Sequence, residues 1–523
     1  MIALLLALAC STAPAPVGEL VFVRDGLLVP SRDVAGQPVG GDRTLVSRAW
    51  TPGETVSVGG LEATAPVRPE CLPLFHVPLG DVSKLVASGG VAPNSSVAFS
   101  PDGSRLAVGS HQGDLVVVDG WTGEEVARTV LAEALVKRVA WSPDGATLYA
   151  GEQSPDAELH AFDAQTLKKK WSFRAADHVE SSPLPDGDGR YAIFELPGIY
   201  TLRVLNNGDI LAIAVHGWTG PEGTRLNQSQ AFRLSPKGIV IDRWPETALS
   251  ANLLHAVVHE DSEGKGSLLL NTDRSADGPP PKDIPVGGLA ILSLPELHFE
   301  SFAKIDPLGP WFKSAYLWQA MDMHPTHGLF VGLGDGRAII KDPIAPHATR
   351  LTAAAGTPIM AGKVPISASV GFGQFVGESL MYTTSDTNIP WGAAVPELRP
   401  PSAHPGANGL WVTDTNGTPL WNWQGNVRIQ GLSVSPDQQL GIVGGGYQSN
   451  ADQPTTYGAV LFDLTTPEDG RPGTDRRLAT CATANPVYFE HQILDDGRIA
   501  VVEFPSPDGQ GGVRGSYRAT VLR

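Results

Sequence analysis

SVAFSPDGSRLAVGSHQGDLVVVDGWTGEEV, residues 96–126, is the stretch that decides the fold. Its pattern returns at residues 138–171 as RVAWSPDGATLYAGEQSPDAELHAFDAQTLKKKW. Each copy reads as an alternating apolar strand, an SPDG turn, a second apolar strand, a polar loop and a third strand. The turn has a local cause. Proline fixes φ at the first central position, the Asp side chain can accept from the backbone just ahead, and Gly tolerates positive φ. Asp102, Gly103, Asp144 and Gly145 are therefore read as turn formers. Alternation on either side, Val97 and Phe99 and then Leu106 and Val108, gives each strand two distinct faces.

A repeat of about 40 residues built from short strands and tight turns is the mark of a β-propeller. The expected fold is all-β, a propeller of seven or eight four-stranded blades. Further blade-like units follow at 200–243, 254–304, 320–341, 369–423 and 431–464, the last recovering the SPD turn. Polar, Pro-rich insertions fall at 273–285 and 388–408. Residues 72–86 read like the outer strands of a blade whose inner strands lie elsewhere, and 491–504 and 516–523 supply candidates. The ring is expected to close by pairing N- and C-terminal strands, which removes exposed edges. The division that follows is 1–16 as a signal with a short linker, 17–90 as N-terminal strands contributing to closure, and 91–523 as the propeller.

Composition narrows the function classes. Of 523 residues, 42% are apolar, enough for a core, and no long helical periodicity appears. The net charge is −17. Nucleic acid and anionic membrane surfaces call for a basic footprint, so neither is expected as the main partner. The start, MIALLLALACSTAPAP, is an apolar run ending in small residues and Cys10. It is similar to a bacterial lipoprotein signal with Cys10 as the lipidated residue. A plain cleaved secretory signal is the alternative. The run is too short to span a bilayer, which takes about 20 residues. The expected location is outside the cytoplasm, in a bacterial periplasm or at the outer membrane or cell surface. Two cysteines remain, Cys71 near one end and Cys481 near the other. A propeller brings its ends together, so a disulfide between them and two separate buried thiols are both open readings.

The two VA[FW]SPDG copies resemble WD-repeat and YVTN-type propeller blades. They lack the terminal Trp-Asp dipeptide and the Gly-His pair of the eukaryotic form, so the resemblance is to the bacterial variety. Residues 159–183 and 409–425, which end strands in FDAQTLKKKW and TDTNGTPLW, resemble quinoprotein (PQQ)-type repeats. That resemblance implies that Trp171 and Trp421 dock between blades, with the indole N–H finding a backbone acceptor.

Motifs for chemistry are sparse. There is no Cys-x-x-Cys, His-Glu-x-x-His, Gly-x-Ser-x-Gly or P-loop. HEDSE at 259–263 reads as a solvated hairpin, PDGDGR at 185–190 as an ordinary turn, and HPTH at 324–327 as a turn whose two His could reach one ion. No catalytic, cofactor-binding or metal residues are assigned, and no cofactor or enzyme activity is expected. The leading reading is an exported, lipid-anchored or simply secreted propeller that scaffolds a protein or peptide partner. Its membrane link would be a lipid on Cys10 alone. The loop aromatics Trp218, Trp311 and Trp391 are candidate contacts, weighed against plain packing. By signal and fold together the chain resembles the propeller lipoproteins that assist outer-membrane protein assembly. The alternative is a quinoprotein-like dehydrogenase, or another enzyme with its site at the channel.

Overall fold

The computed structural model describes residues 21–23, 26–32, 38–47, 54–58, 61–64, 71–87, 96–131, 135–184, 195–220, 222–272, 284–306, 317–334, 336–342, 349–354, 359–361, 364–384, 404–446, 457–465, 476–507 and 512–523. Within these residues the strands form eight four-stranded antiparallel units. Blade 1 runs through Ser96–Phe99, Arg105–Gly109, Asp114–Asp119 and Glu125–Val130. Blade 2 uses Leu135–Trp141, Thr147–Gln153, Glu158–Asp163 and Lys169–Arg174. Blades 3 to 7 span 198–249, 256–304, 317–354, 370–424 and 429–483. Blade 8 takes three strands from the C-terminus, Val487–Ile493, Ile499–Glu503 and Arg518–Leu522. Its fourth is Pro73–Pro78, which pairs antiparallel to 518–522 with Val77 opposite Ala519. The propeller is thus closed by strands from both ends of the chain.

Eight clusters of buried apolar residues hold the ring, one at each seam between blades. They follow from the period of two in a strand. In blade 1, Leu106 and Val108 face blade 8, whereas Ala107 faces blade 2. In blade 4, Leu268 and Leu270 face blade 3, and Leu269 faces blade 5. Strands buried on both faces read as continuous apolar runs, which is why LVVVD and SLLLN carry little alternation. Each Leu or Val so buried contributes about 1.5–3 kcal/mol. Close approach of blades sets small residues in the second strand. A Cβ on Gly109 would stand 2.4 Å from Val136 Cγ1, and one on Gly151 would stand 2.7 Å from Ile199 Cβ.

The remaining N-terminal strands lie outside these eight units. Val21–Val23, Gly26–Arg32 and Pro38–Ser47 form a three-stranded sheet, and Thr55–Val58 pairs with Leu61–Thr64. Residues 72–86 differ from the expected pair of outer strands. Only 73–78 is a strand, and Ser83–Ala87 is a short helix. Among the described residues no helix is long and apolar enough to cross a membrane.

Candidate functional site

The first strand of every blade lines a central channel of about 760 Å³. Its wall carries Arg138, Arg203, His255, His259, Glu260, Asp322 and His491, among apolar residues such as Val139 and Phe372. A belt of side-chain hydrogen bonds runs round this wall and crosses all eight seams. Gln492 Oε1 accepts from Phe99 N at 2.6 Å, joining blades 8 and 1. Ser96 Oγ accepts from Val139 N at 3.1 Å, and Arg138 Nε donates to Tyr200 O at 2.8 Å. Glu260 Oε1 accepts from Asn206 N at 3.1 Å. Asp322 serves two seams, with Oδ1 2.8 Å from His259 Nε2 and Oδ2 accepting from Phe375 N at 2.6 Å. Gln438 Oε1 accepts from Gly377 N at 2.9 Å, and Ser433 Oγ donates to His491 O at 2.7 Å. Polar groups at the axis therefore do structural duty, most of them satisfying backbone donors and carbonyls that the sheet ladders leave over.

The electrostatics of the wall are uneven. Burial, reinforced by the nearby Arg138 and Lys137 cations, pushes the His255 imidazole down from 6.5 to about 3. His255 is neutral at physiological pH. Glu260 is shifted the other way, upward, by burial, although the Asn206 N–H opposes the shift. Its second oxygen, Oε2, is buried with no hydrogen-bond partner. HEDSE is therefore not a solvated hairpin throughout. His259 and Glu260 end the strand Ala256–Glu260 on the channel wall, and the turn proper begins at Asp261.

The turn residues sit where the SPDG reading places them. Ser100 Oγ donates to Asp102 Oδ1 at 2.6 Å, and Ser104 N donates to the same oxygen at 3.0 Å. Those donors hold the Asp102 carboxyl down at about 2. Gly103 and Gly145 adopt φ of 67° and 68°. Asp144 repeats the pattern with Ser142 Oγ at 2.5 Å and Ala146 N at 3.0 Å. Trp171 Nε1 donates to Pro236 O at 2.9 Å, from blade 2 to blade 3. Trp421 is buried and packs on Phe462 of blade 7, ring centres 5.7 Å apart. Both tryptophans lie in the outermost strands of their blades, away from the channel. Cys71 and Cys481 are joined as a disulfide, S–S 2.04 Å, tying the approach to strand 73–78 to the outermost strand of blade 7.

Trp218 sits near the tip of the long hairpin Ile210–Thr219 and Arg225–Leu234, with its ring stacked 4.4 Å from His216. Cys10, Trp311 and Trp391 lie outside the described residues, as does PDGDGR. The HPTH turn brings His324 and His327 together, ring centres 4.3 Å apart, and the next blade adds Glu378 Oε2 at 2.6 Å from His327 Nε2. His324 Nδ1 already accepts from Thr326 N and His327 N, both at 3.2 Å.

The two faces of the ring differ. Antiparallel order puts the first and third turns of each blade on one face, and the second turns with the blade-to-blade connections on the other. All eight first turns are short, from 377–378 to stretches like 100–104. At the opposite face lie the strand ends joined by 273–287, 385–408, 446–456 and 504–517 within blades, and by 175–197, 305–316 and 355–369 between them. On the short-turn face the strand ends joined by 464–476 are the main exception.

No family model matches the chain, and no curated protein matches it. Solved structures do. The C-terminal WD40 domain of Sif2 aligns at TM-score 0.48 and 13% identity, covering 83% of this chain and 97% of that one. BamB from Moraxella catarrhalis aligns at TM-score 0.43 and 12% identity, covering 83% and 97%. The computationally designed Ika8 protein aligns at 0.46 and 12%, covering 82% and 97%. The propeller assignment itself rests on the sheet order and the eight seam clusters given above.

Proposed function

We propose that this chain is an exported binding scaffold without catalytic activity, which holds a protein or peptide partner on its long-loop face and is tethered through a lipid on Cys10. One observation carries the reading: the uneven placement of connections. Short turns join the strand ends at one face, while the strand ends joined by most of the longer connections lie at the other. Loops are free to vary because they leave the packed seams untouched, so a rigid ring can display a shaped surface. The polar groups on the channel wall support the same reading, since they are largely engaged in holding blades together. The negative net charge of −17 favours a partner with a neutral or basic surface over nucleic acid.

Affinity isolation from native membranes, with wild type and Cys10→Ala in parallel, tests this. The expected result is membrane recovery of the wild type with a defined protein partner, and loss of membrane recovery in the variant. Recovery of the wild type from cytosol alone contradicts export. A purified protein that oxidises an alcohol after reconstitution with quinone and calcium contradicts the absence of catalysis.

A further inference from the structure

Blade 2 carries a second cavity, about 500 Å³, between the outer strand of blade 1 (Thr129, Val130, Leu131) and its own second turn. Glu152 and Glu158 line it, and the His160 ring stands behind them. These three residues offer one ligand atom each, all within 4.8 Å of one another. Glu158 and His160 are two apart on the strand Glu158–Asp163, so both project from one face, and Glu152 reaches them from the neighbouring strand.

The geometry of the three groups suits a cation. His160 is 1% exposed and Glu152 6%. Glu152 is buried and Glu158 partly exposed beside the imidazole, so two carboxylates converge at the inner end of a cavity whose lining also includes Lys169. Ser154 Oγ donates to Glu152 Oε2 at 2.8 Å, which fixes the carboxylate and points Oε1 at His160 Nε2, 2.6 Å away. Glu158 Oε2 is 3.6 Å from the same nitrogen. A tetrahedral ion with bonds of about 2.0–2.1 Å spaces its ligands by about 3.3 Å, so the Glu158 contact already fits and the Glu152 contact opens slightly. His160 Nδ1 is buried with no hydrogen-bond partner, so the ring is held only through Nε2, the nitrogen that faces the two carboxylates. At the partly buried His324–His327 pair one ring nitrogen is already engaged. The lone pair of His324 Nδ1 is taken by two backbone N–H groups.

We infer that Glu152, Glu158 and His160 bind one divalent cation of the zinc class, with a coordination position left open toward the cavity. One nitrogen and two carboxylate oxygens suit a borderline ion better than calcium, which takes six to eight oxygens.

Full-length, tag-free protein is stripped with chelator and titrated with Zn²⁺ by calorimetry and with Co²⁺ by visible absorption. One equivalent should bind, and Co²⁺ should give the intense d–d bands of a tetrahedral site. Glu158→Gln alters the most exposed ligand and should keep the fold by circular dichroism while weakening binding at least tenfold. Glu378→Gln, at the other His pair, should leave it unchanged. Folded wild type that takes up no metal overturns the inference. So does binding that Glu158→Gln leaves intact, or that Glu378→Gln weakens equally.

Discussion

The guanidinium of Arg498 lies 3.8 Å from the ring centre of Trp121, across the seam where the chain's last blade meets its first complete one. The same side chain donates through Nη1 to Gly103 O at 2.7 Å and Gly120 O at 2.8 Å, and pairs with Asp496 at 2.8 Å. Arg498 is 2% exposed. One residue of blade 8 thus ties down both turns of blade 1 on the short-turn face. Gly103 is glycine for two reasons there: its positive φ, and a Cβ that would meet Arg498 Nη2 at 2.6 Å.

Replacing Arg498 by Met removes the fork but keeps the stem. Two buried carbonyls and a carboxylate lose their donor, and the cost should be about 2–4 kcal/mol, below the full figure for a buried pair because Asp496 is partly solvated. Urea unfolding measures it. Arg498→Lys should recover little, since a single ammonium cannot span both carbonyls.

The Cys71–Cys481 bond joins residues 410 apart in sequence and reinforces the pairing of Leu72 with Arg523, N–H to carbonyl at 2.9 Å in both directions. Cys481→Ser should lower stability by about 2–4 kcal/mol. In oxidised protein neither cysteine should react with a thiol reagent before unfolding, and peptide mapping without reductant should recover the linked pair.

Gln438 occupies, at φ 58°, the position that Gly103 and Gly145 fill in the other two SPD turns. A side chain there costs about 1 kcal/mol of backbone strain. Its amide oxygen recovers a similar amount by capping Gly377 N across the seam. Gln438→Gly should therefore be nearly neutral, whereas Gln438→Ala keeps the strain, loses the bond and should destabilise by about 1 kcal/mol. Thermal unfolding of the two variants side by side separates them.

His255 sets a pH dependence of known sign. In the unfolded chain it takes a proton below about 6.5, but in the fold it stays neutral down to about 3. Protons thus bind the unfolded state first, and stability should fall as pH drops from about 6.5 toward 3. His255→Gln should flatten that part of the profile. In the native protein the His255 ring resonances should not titrate between pH 8 and 5.

Much of the fold could be read from local chemistry. The SPDG turns are specified within a few residues by Pro and Gly backbone preferences, and the docking of Trp171 and Trp421 follows from the repeat resemblance; of the stretch 72–86 only 73–78 is the closing strand, whose partner 518–522 lies far along the chain. The channel wall could not be read this way. Ser96, Asp322, Gln438 and Gln492 act on residues from neighbouring blades, and nothing local marks them. HEDSE misled for the same reason: its polarity suggested solvent, yet His259 and Glu260 face the axis. The Glu152–Glu158–His160 cluster left a faint trace, an acidic residue and a His alternating with apolar residues at the start of the strand Glu158–Asp163. Its third member comes from strand pairing within blade 2, and its burial from how blade 1 packs against blade 2.

The account turns on which face of the ring meets a partner. A photo-reactive amino acid placed at Trp218 on the long-loop hairpin, and separately at Lys237 in the turn 235–239 on the opposite face, tests this in the native host. The prediction is a discrete cross-linked protein from position 218 and none from 237. A partner captured only from 237, or the same partner captured equally from both, would contradict it.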